Sequence, residues 1–307
     1  MKKHELTDDT ITVGSRILHR IKALKSFSDV EEGDLGGYVE KEDNLNQSGN
    51  AWVYGNARVY GDARVSGNAQ VCGNARVCGN AQVYGDAQVY GNARVYGNAR
   101  VSENARVYGN AWVSENARVY ENAWVSGNAR VYGDARVSGN AQVYGDAQVC
   151  GNAQVYGDAQ VYGNARVYGN ARVSENARVY GNAWVSGNAR VYGDARVSGN
   201  AQVCGNARVC GNAQVYGDAR VYGDARVYGD AWVSGENDYT TAKGFGREYR
   251  TTTFFRLKDG GIGVRCGCFY GTLDEFRKKV KETHKESKLG KEYLMLADLM
   301  EYKFKNE

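Results

Sequence analysis

From Gly49 to Ser234 apolar and polar positions alternate with a period of six, and thirty-one units of the form G-N-A-x-V-x follow one another without insertion or deletion. The first place holds Gly or Glu and the second Asn or Asp. The third is Ala and the fifth Val, while the fourth holds only Arg, Gln or Trp and the sixth only Tyr, Ser or Cys. Ala and Val stand two apart, so in an extended segment they face one way and the residue between them faces the other. Gly-Asn and Gly-Asp are turn pairs that take the positive φ of a sharp corner. Each hexad is therefore predicted to be a short strand plus a corner, with Val and Ala inward. A period this short means stacked coils, each burying its apolar face only with the help of its neighbours.

An aliphatic residue followed four places later by a small one, as in Val53 to Ala57, Val59 to Ala63 and Val191 to Ala195, resembles the hexapeptide-repeat family. The resemblance implies an all-β fold, a single-stranded left-handed parallel β-helix of triangular section with three hexads per coil. Its hand comes from the resemblance alone. Degenerate hexads begin near Gly37, with Val39 and Leu45 in the inward small place. That gives about eleven triangular coils, a rod of roughly 50 Å at ~4.8 Å per coil. Residues eighteen apart then stack, and short acidic side chains there would repel. The nine corner aspartates, Asp62, Asp86, Asp134, Asp146, Asp158, Asp194, Asp218, Asp224 and Asp230, never fall eighteen apart. Glu103 and Glu121 do, and their longer side chains are expected to splay into water.

The flanks lack the repeat. Residues 1–36 carry two strand-like runs, 11–13 and 16–24, then the turn-rich SDVEEGDLGG; residues 235–307 have ordinary globular patterning. The latter are predicted to form a small α+β (ββαα) module: strands over 247–258 and 262–271, a helix opened by the Thr272/Glu275 capping box, and a second helix over about 291–304. A solenoid end exposes unpaired strand edges, so an N-terminal β cap at 1–36 and the 235–307 module are expected to close the 37–234 β-helix. The run GDLGGYVEKEDNL, with the segment around it, resembles bacterial and phage-associated hexapeptide-repeat proteins labelled as transferases or polymer-forming proteins. The run FRLKDGGIGVRCGCFYGTLDEFRKKVKETH resembles a C-terminal domain found beside such repeats.

Composition narrows the function. The net charge is +4, with seventeen solenoid Arg against nine Asp and four Glu, too mild to mark a nucleic-acid binder. No run approaches a membrane span and no secretory apolar segment follows Lys2 and Lys3, so the expectation is a cytoplasmic protein. Five of the seven cysteines occupy the sixth place of the hexad, never eighteen apart, and are expected to be free; Cys266 and Cys268 are expected on one face of a strand, as buried apolar groups. Hexapeptide acyltransferases use a histidine base and usually an extruded loop, and the related γ-type carbonic anhydrases need three histidines for a metal. The chain has only His4, His19 and His284, none in the repeat. His19 is expected to be structural, on a strand face with Ile17 and Ile21, and His284 to close a helix. No catalytic residue, metal site or cofactor is predicted.

What remains is the outward place. One column reads Arg64, Gln82, Arg100, Arg118, Arg136, Gln154, Arg172, Arg190, Arg208, Arg226. A second mixes Arg with Trp112 and Trp184, and a third carries Trp52, Trp124 and Trp232 with only three arginines. Arginines with tyrosines two residues on suit an acidic partner or a polyanion. The competing account is a solvated face, since block copies shifted by sixty and by one hundred and thirty-two residues rotate each copy onto the next face. The sequence therefore reads as a non-catalytic structural or binding scaffold. Its partner would be an unidentified protein or acidic surface, or a second or third copy of the chain, through the solenoid and the C-terminal module. The alternatives are an acyltransferase-like enzyme and a binder of polyanions or nucleic acid.

Overall fold

The computed structural model describes residues 2–245 and 249–305, so the start of the strand expected over 247–258, Arg247 and Glu248, lies outside the described residues, as do Met1, Asn306 and Glu307 of the two flanks. The chain is a parallel β-solenoid of about eleven turns followed by an antiparallel sheet and two helices. It divides into two compact units, Met1–Asn164 and Ala165–Glu307.

The first unit opens with a hairpin, β1 (His4–Val13) and β2 (Arg16–Ala23), and β2 pairs antiparallel with β3 (Leu35–Val39). Two-residue strands follow, one per hexad, from β4 (Trp52–Val53) to β22 (Gln160–Val161). Each pairs in parallel with the strand eighteen residues on, as Arg58 with Arg76 and Val59 with Val77, which makes three faces. Ala and Val of every repeat are buried. Each buried valine contributes about 1.5–3 kcal/mol, which is what makes so short a strand tenable. At the corners Gly61 takes φ +70°, and a Cβ there would stand 3.1 Å from the Gly79 carbonyl oxygen. Glu103, Glu115, Glu121 and Glu175 hold the same left-handed conformation, φ 58–59°. The glutamates do not all splay into water: the Glu121 carboxylate accepts the Gly139 N–H, and Glu175 accepts that of Gly193 at 2.8 Å.

The corner amides form ladders. Asn80 donates to Asn98 at 3.1 Å, Asn98 to Asn116 at 3.0 Å, and Asn116 to Asp134 at 3.0 Å. Aspartate can accept from the turn before but cannot donate to the turn after. Eight of the nine aspartates end a ladder in this way, and the ninth, Asp62, takes the Lys41 ammonium at 2.7 Å. The spacing rule seen in the sequence thus has a hydrogen-bonding cause besides repulsion.

The first turn departs from the hexad count. Val39 pairs with Val59 and Leu45 with Val65, a separation of twenty, not eighteen. Two extra residues between Leu45 and Val53 put Val39 and Leu45 in the aliphatic place, not the small one, which Gly37 fills instead. Trp52, expected on the outer face, is buried under the hairpin, with Phe27 and His4 edge-on at 5.5 and 6.3 Å. His19 is half-buried, its Nδ1 3.0 Å from the Thr7 carbonyl. Its expected neighbours diverge, Ile17 being 58% exposed and Ile21 fully buried, and the pairing of β1 with β2 slips between Leu6 and Thr10.

The second unit continues the pattern from β23 (Arg166–Val167) to β34 (Trp232–Val233). It ends in four antiparallel strands where two were expected: β35 (Tyr239–Phe245), β36 (Arg250–Arg256), β37 (Ile262–Cys266) and β38 (Phe269–Thr272). The run 262–271 is a hairpin turning at Gly267, φ +58°, so Cys268 lies exposed in the turn and shares no strand face with Cys266. Helices α1 (Leu273–His284) and α2 (Lys288–Lys305) pack Phe276, Val280, Ala297 and Phe304 onto Phe254 and Val264. The Thr272/Glu275 capping box forms as expected. All seven cysteines are free.

The two termini meet the solenoid with opposite chemistry. Each turn gives N–H groups to the Gly, Ala and Val carbonyls of the next, as Asn56 to Gly73, Arg58 to Ala75 and Tyr60 to Val77. The first turn therefore presents carbonyls, and donors meet them. The buried Lys3 ammonium reaches the Ala51 oxygen at 2.8 Å, and the Asn44 amide reaches those of Gly61 and Ala63 at 3.0 and 2.8 Å. The last turn presents N–H groups, and acceptors meet them. Arg226 N–H goes to Thr253 Oγ1 at 2.9 Å, Tyr222 N–H to Tyr239 Oη at 3.3 Å, and Ser234 N–H to the Asp238 carboxylate at 2.7 Å. Burial, with Lys25 nearby, lowers the Lys3 ammonium to about 8.

Candidate binding face

The predicted arginine column is one face of the solenoid. In the first unit Arg64 pairs with Gln82, and Arg100, Arg118 and Arg136 follow in register before Gln154. In the second unit Arg172, Arg190, Arg208 and Arg226 run in register. Arg64, Arg100, Arg118, Arg136, Arg172 and Arg190 are exposed, while Arg208 and Arg226 are half-buried. Among the described residues no carboxylate lies within ion-pair reach of these eight guanidinium groups. The outward place forces this arrangement, because a buried alanine before it and a buried valine after it leave the intervening side chain only the solvent side.

The other two faces hold their arginines differently. Arg94 and Arg130 lie over opposite faces of the Trp112 ring, 5.0 and 4.8 Å from its centroid. Arg106 stacks on Trp124 and Arg166 on Trp184, each at 5.3 Å. These guanidinium groups are engaged with the neighbouring turn, whereas the tryptophan-free column has no such ring in its outward place.

Two features escaped the reading of single hexads. On the arginine face the sixth place alternates Ser66, Tyr84, Ser102, Tyr120, Ser138, Tyr156, a pattern visible only when every eighteenth residue is read together. His4 is the other: it is fully buried under the hairpin, and its Nδ1 has no hydrogen-bond partner among the described residues. Burial, then Lys3, holds its imidazole down to about 4 against the opposing pull of Glu42. The Gln47 amide lies 3.4 Å from its Nε2 and the Trp52 ring packs edge-on against it. No group of three or more His, Cys, Asp or Glu among the described residues is placed to hold a metal ion. No helix among them is long and apolar enough to cross a membrane.

Solved structures to which the chain is similar include LpxA from Acinetobacter baumannii, at 10% identity over 54% of this chain and 69% of that one, TM-score 0.28. A UDP-N-acetylglucosamine acyltransferase from Francisella novicida is similar at 14% identity over 75% of this chain and 89% of that one, TM-score 0.30. A search of curated proteins returns no match. A family model described as the YdcK β-solenoid repeat matches successive windows within 51–85, 87–115, 129–145 and 147–235, more than half of the chain. The chain belongs to the YdcK β-solenoid repeat family.

Proposed function

We propose that the chain is a non-catalytic scaffold whose solenoid presents a ladder of arginines to an acidic protein surface. The observation that supports this reading is the run Arg100, Arg118, Arg136, exposed, in register and without a carboxylate partner among the described residues. Like charges on adjacent strands disfavour one another, so a multivalent anion that bridges them relieves a cost built into the free protein. Guanidinium groups suit the task because they bind carboxylates through two parallel hydrogen bonds.

The test is retention on immobilised heparin and on an acidic protein as salt is raised. Replacing Arg100, Arg118 and Arg136 by Gln should bring elution to lower salt, flatten the salt dependence and raise thermal stability. Replacing Arg106, Arg178 and Arg196, on another face, should change each less. Equal retention of both triple variants and the parent would overturn the proposal.

A further inference from the structure

Where tyrosines occupy the sixth place on adjacent turns, their rings stack flat. Tyr90 and Tyr108 are 4.9 Å apart with 1° between their planes, and Tyr144 and Tyr162 are 4.8 Å apart with 2°. One turn of the solenoid thus accommodates one aromatic ring. On the arginine face a serine, or once Cys210, stands between every two tyrosines, so the flanking rings are two turns, about 9.6 Å, apart. That spacing fits one inserted ring stacked on both sides.

The chain treats such gaps in two ways. Around Cys210, Tyr192 and Tyr228 lean together until their hydroxyls are 2.8 Å apart, closing the space over the thiol. Around Ser138, itself buried, the two tyrosines do not close together but border a hollow of about 410 Å³ lined by Tyr120, Glu121, Arg136, Ser138, Gln154 and Tyr156. Tyr156 is 39% exposed there, and no hydrogen bond joins its hydroxyl to that of Tyr120. A second hollow, about 640 Å³, includes Ser66 with Arg64 and Tyr84, at an equivalent position of the same column.

We infer that the gap over Ser138 is a binding slot for a small planar aromatic anion, its ring between Tyr120 and Tyr156 and its acidic group on Arg136. The Glu121 carboxylate also lines the hollow, where it accepts the Gly139 N–H. The Gln154 amide adds a neutral donor on the next strand. Stacking on both tyrosine rings needs a flat π-face, so the slot favours flatness as well as charge. This goes beyond the scaffold reading and needs no macromolecular partner.

The experiment is calorimetric titration of the full chain with 1-naphthyl phosphate, and with cyclohexyl phosphate as the non-planar anion. Ser138→Tyr supplies the missing ring with a residue the repeat already carries at this place on other turns. Ser186→Tyr adds a ring in another column, where Cys204 lies on one side, and serves as the control. The parent and S186Y should bind 1-naphthyl phosphate at least tenfold more tightly than cyclohexyl phosphate, and S138Y should lose one site per chain without a lower melting temperature. Tyr120→Ala, which removes one wall, should weaken that site about tenfold even if S138Y proves unstable. An unchanged site count in S138Y with unchanged affinity in Y120A would overturn the slot, as would equal binding of the two phosphates, which would mean only anion contact with arginine.

Discussion

At the scale of single residues, the corner ladder makes chemically similar side chains unequal. Asn116 both accepts from Asn98 and donates to Asp134, so Asn116→Asp removes a donor and sets two carboxylates on adjacent turns. It should cost about 1–3 kcal/mol, seen as a lower melting temperature that recovers in part below the carboxylate range. Asp134→Asn should be close to neutral, and the two together should regain most of the loss, because the ladder then ends on the new carboxylate, one turn earlier. Independent effects of the two substitutions would count against the ladder. His4 offers a pH test. Its folded value of about 4 lies below the unfolded 6.5, so the unfolded chain takes up the proton first as pH falls. Stability is therefore complete above pH 6.5 and is lost towards pH 4, by about 3 kcal/mol across that window. His4→Gln should flatten this slope in denaturant titrations at pH 7, 6, 5 and 4.

At the scale of elements, the repeat was legible because each hexad states its geometry locally: a left-handed corner at Gly, a ladder residue, and two inward positions around one outward one. The arginine column was legible only once the hexapeptide-repeat resemblance implied three hexads per turn, and with them a spacing of eighteen. What local pattern could not show was pairing. The two-residue slip after Leu45 leaves the apolar letters unchanged and alters only which turn they meet, so Val39 and Leu45 were placed one register off. Trp52 obeys the outward rule of its hexad and is buried only because the β1–β2 hairpin folds over it. In the C-terminal sheet, alternation runs on through Gly267, so a hairpin resembled one strand. Asn44 tests the first turn most directly. Its side chain satisfies two carbonyls and accepts the N–H groups of Glu40 and Lys41, and since Glu40 N–H also reaches the Val59 carbonyl, Asn44→Ala leaves three backbone groups unpaired. A loss of about 2–4 kcal/mol is expected. Thr253→Val, which removes the acceptor of the Arg226 N–H, should cost about 1–2 kcal/mol and speed hydrogen exchange at that amide. Unchanged exchange would mean the bond is not made in solution.

At the scale of the whole molecule, the donors at the first turn and the acceptors at the last give the chain a direction, much as a magnet has unlike poles. A form lacking residues 1–36 would bare carbonyls, and one lacking residues 235–307 would bare N–H groups. Two bared ends of the same kind cannot complete a parallel ladder, but unlike ends can, and their Val and Ala cores match. Each shortened form alone should therefore fail to build ordered assemblies, whereas an equimolar mixture should yield one-to-one pairs in analytical ultracentrifugation. A chain shortened at both ends should instead add copies in one sense only. Labelled copies that join seeds equally at either end would show that apolar contact alone governs the joint. The terminal segments set an ammonium and an amide against the first turn and hydroxyls and a carboxylate against the last, and the mixing experiment tests whether that difference holds a repeat with no intrinsic length to one size.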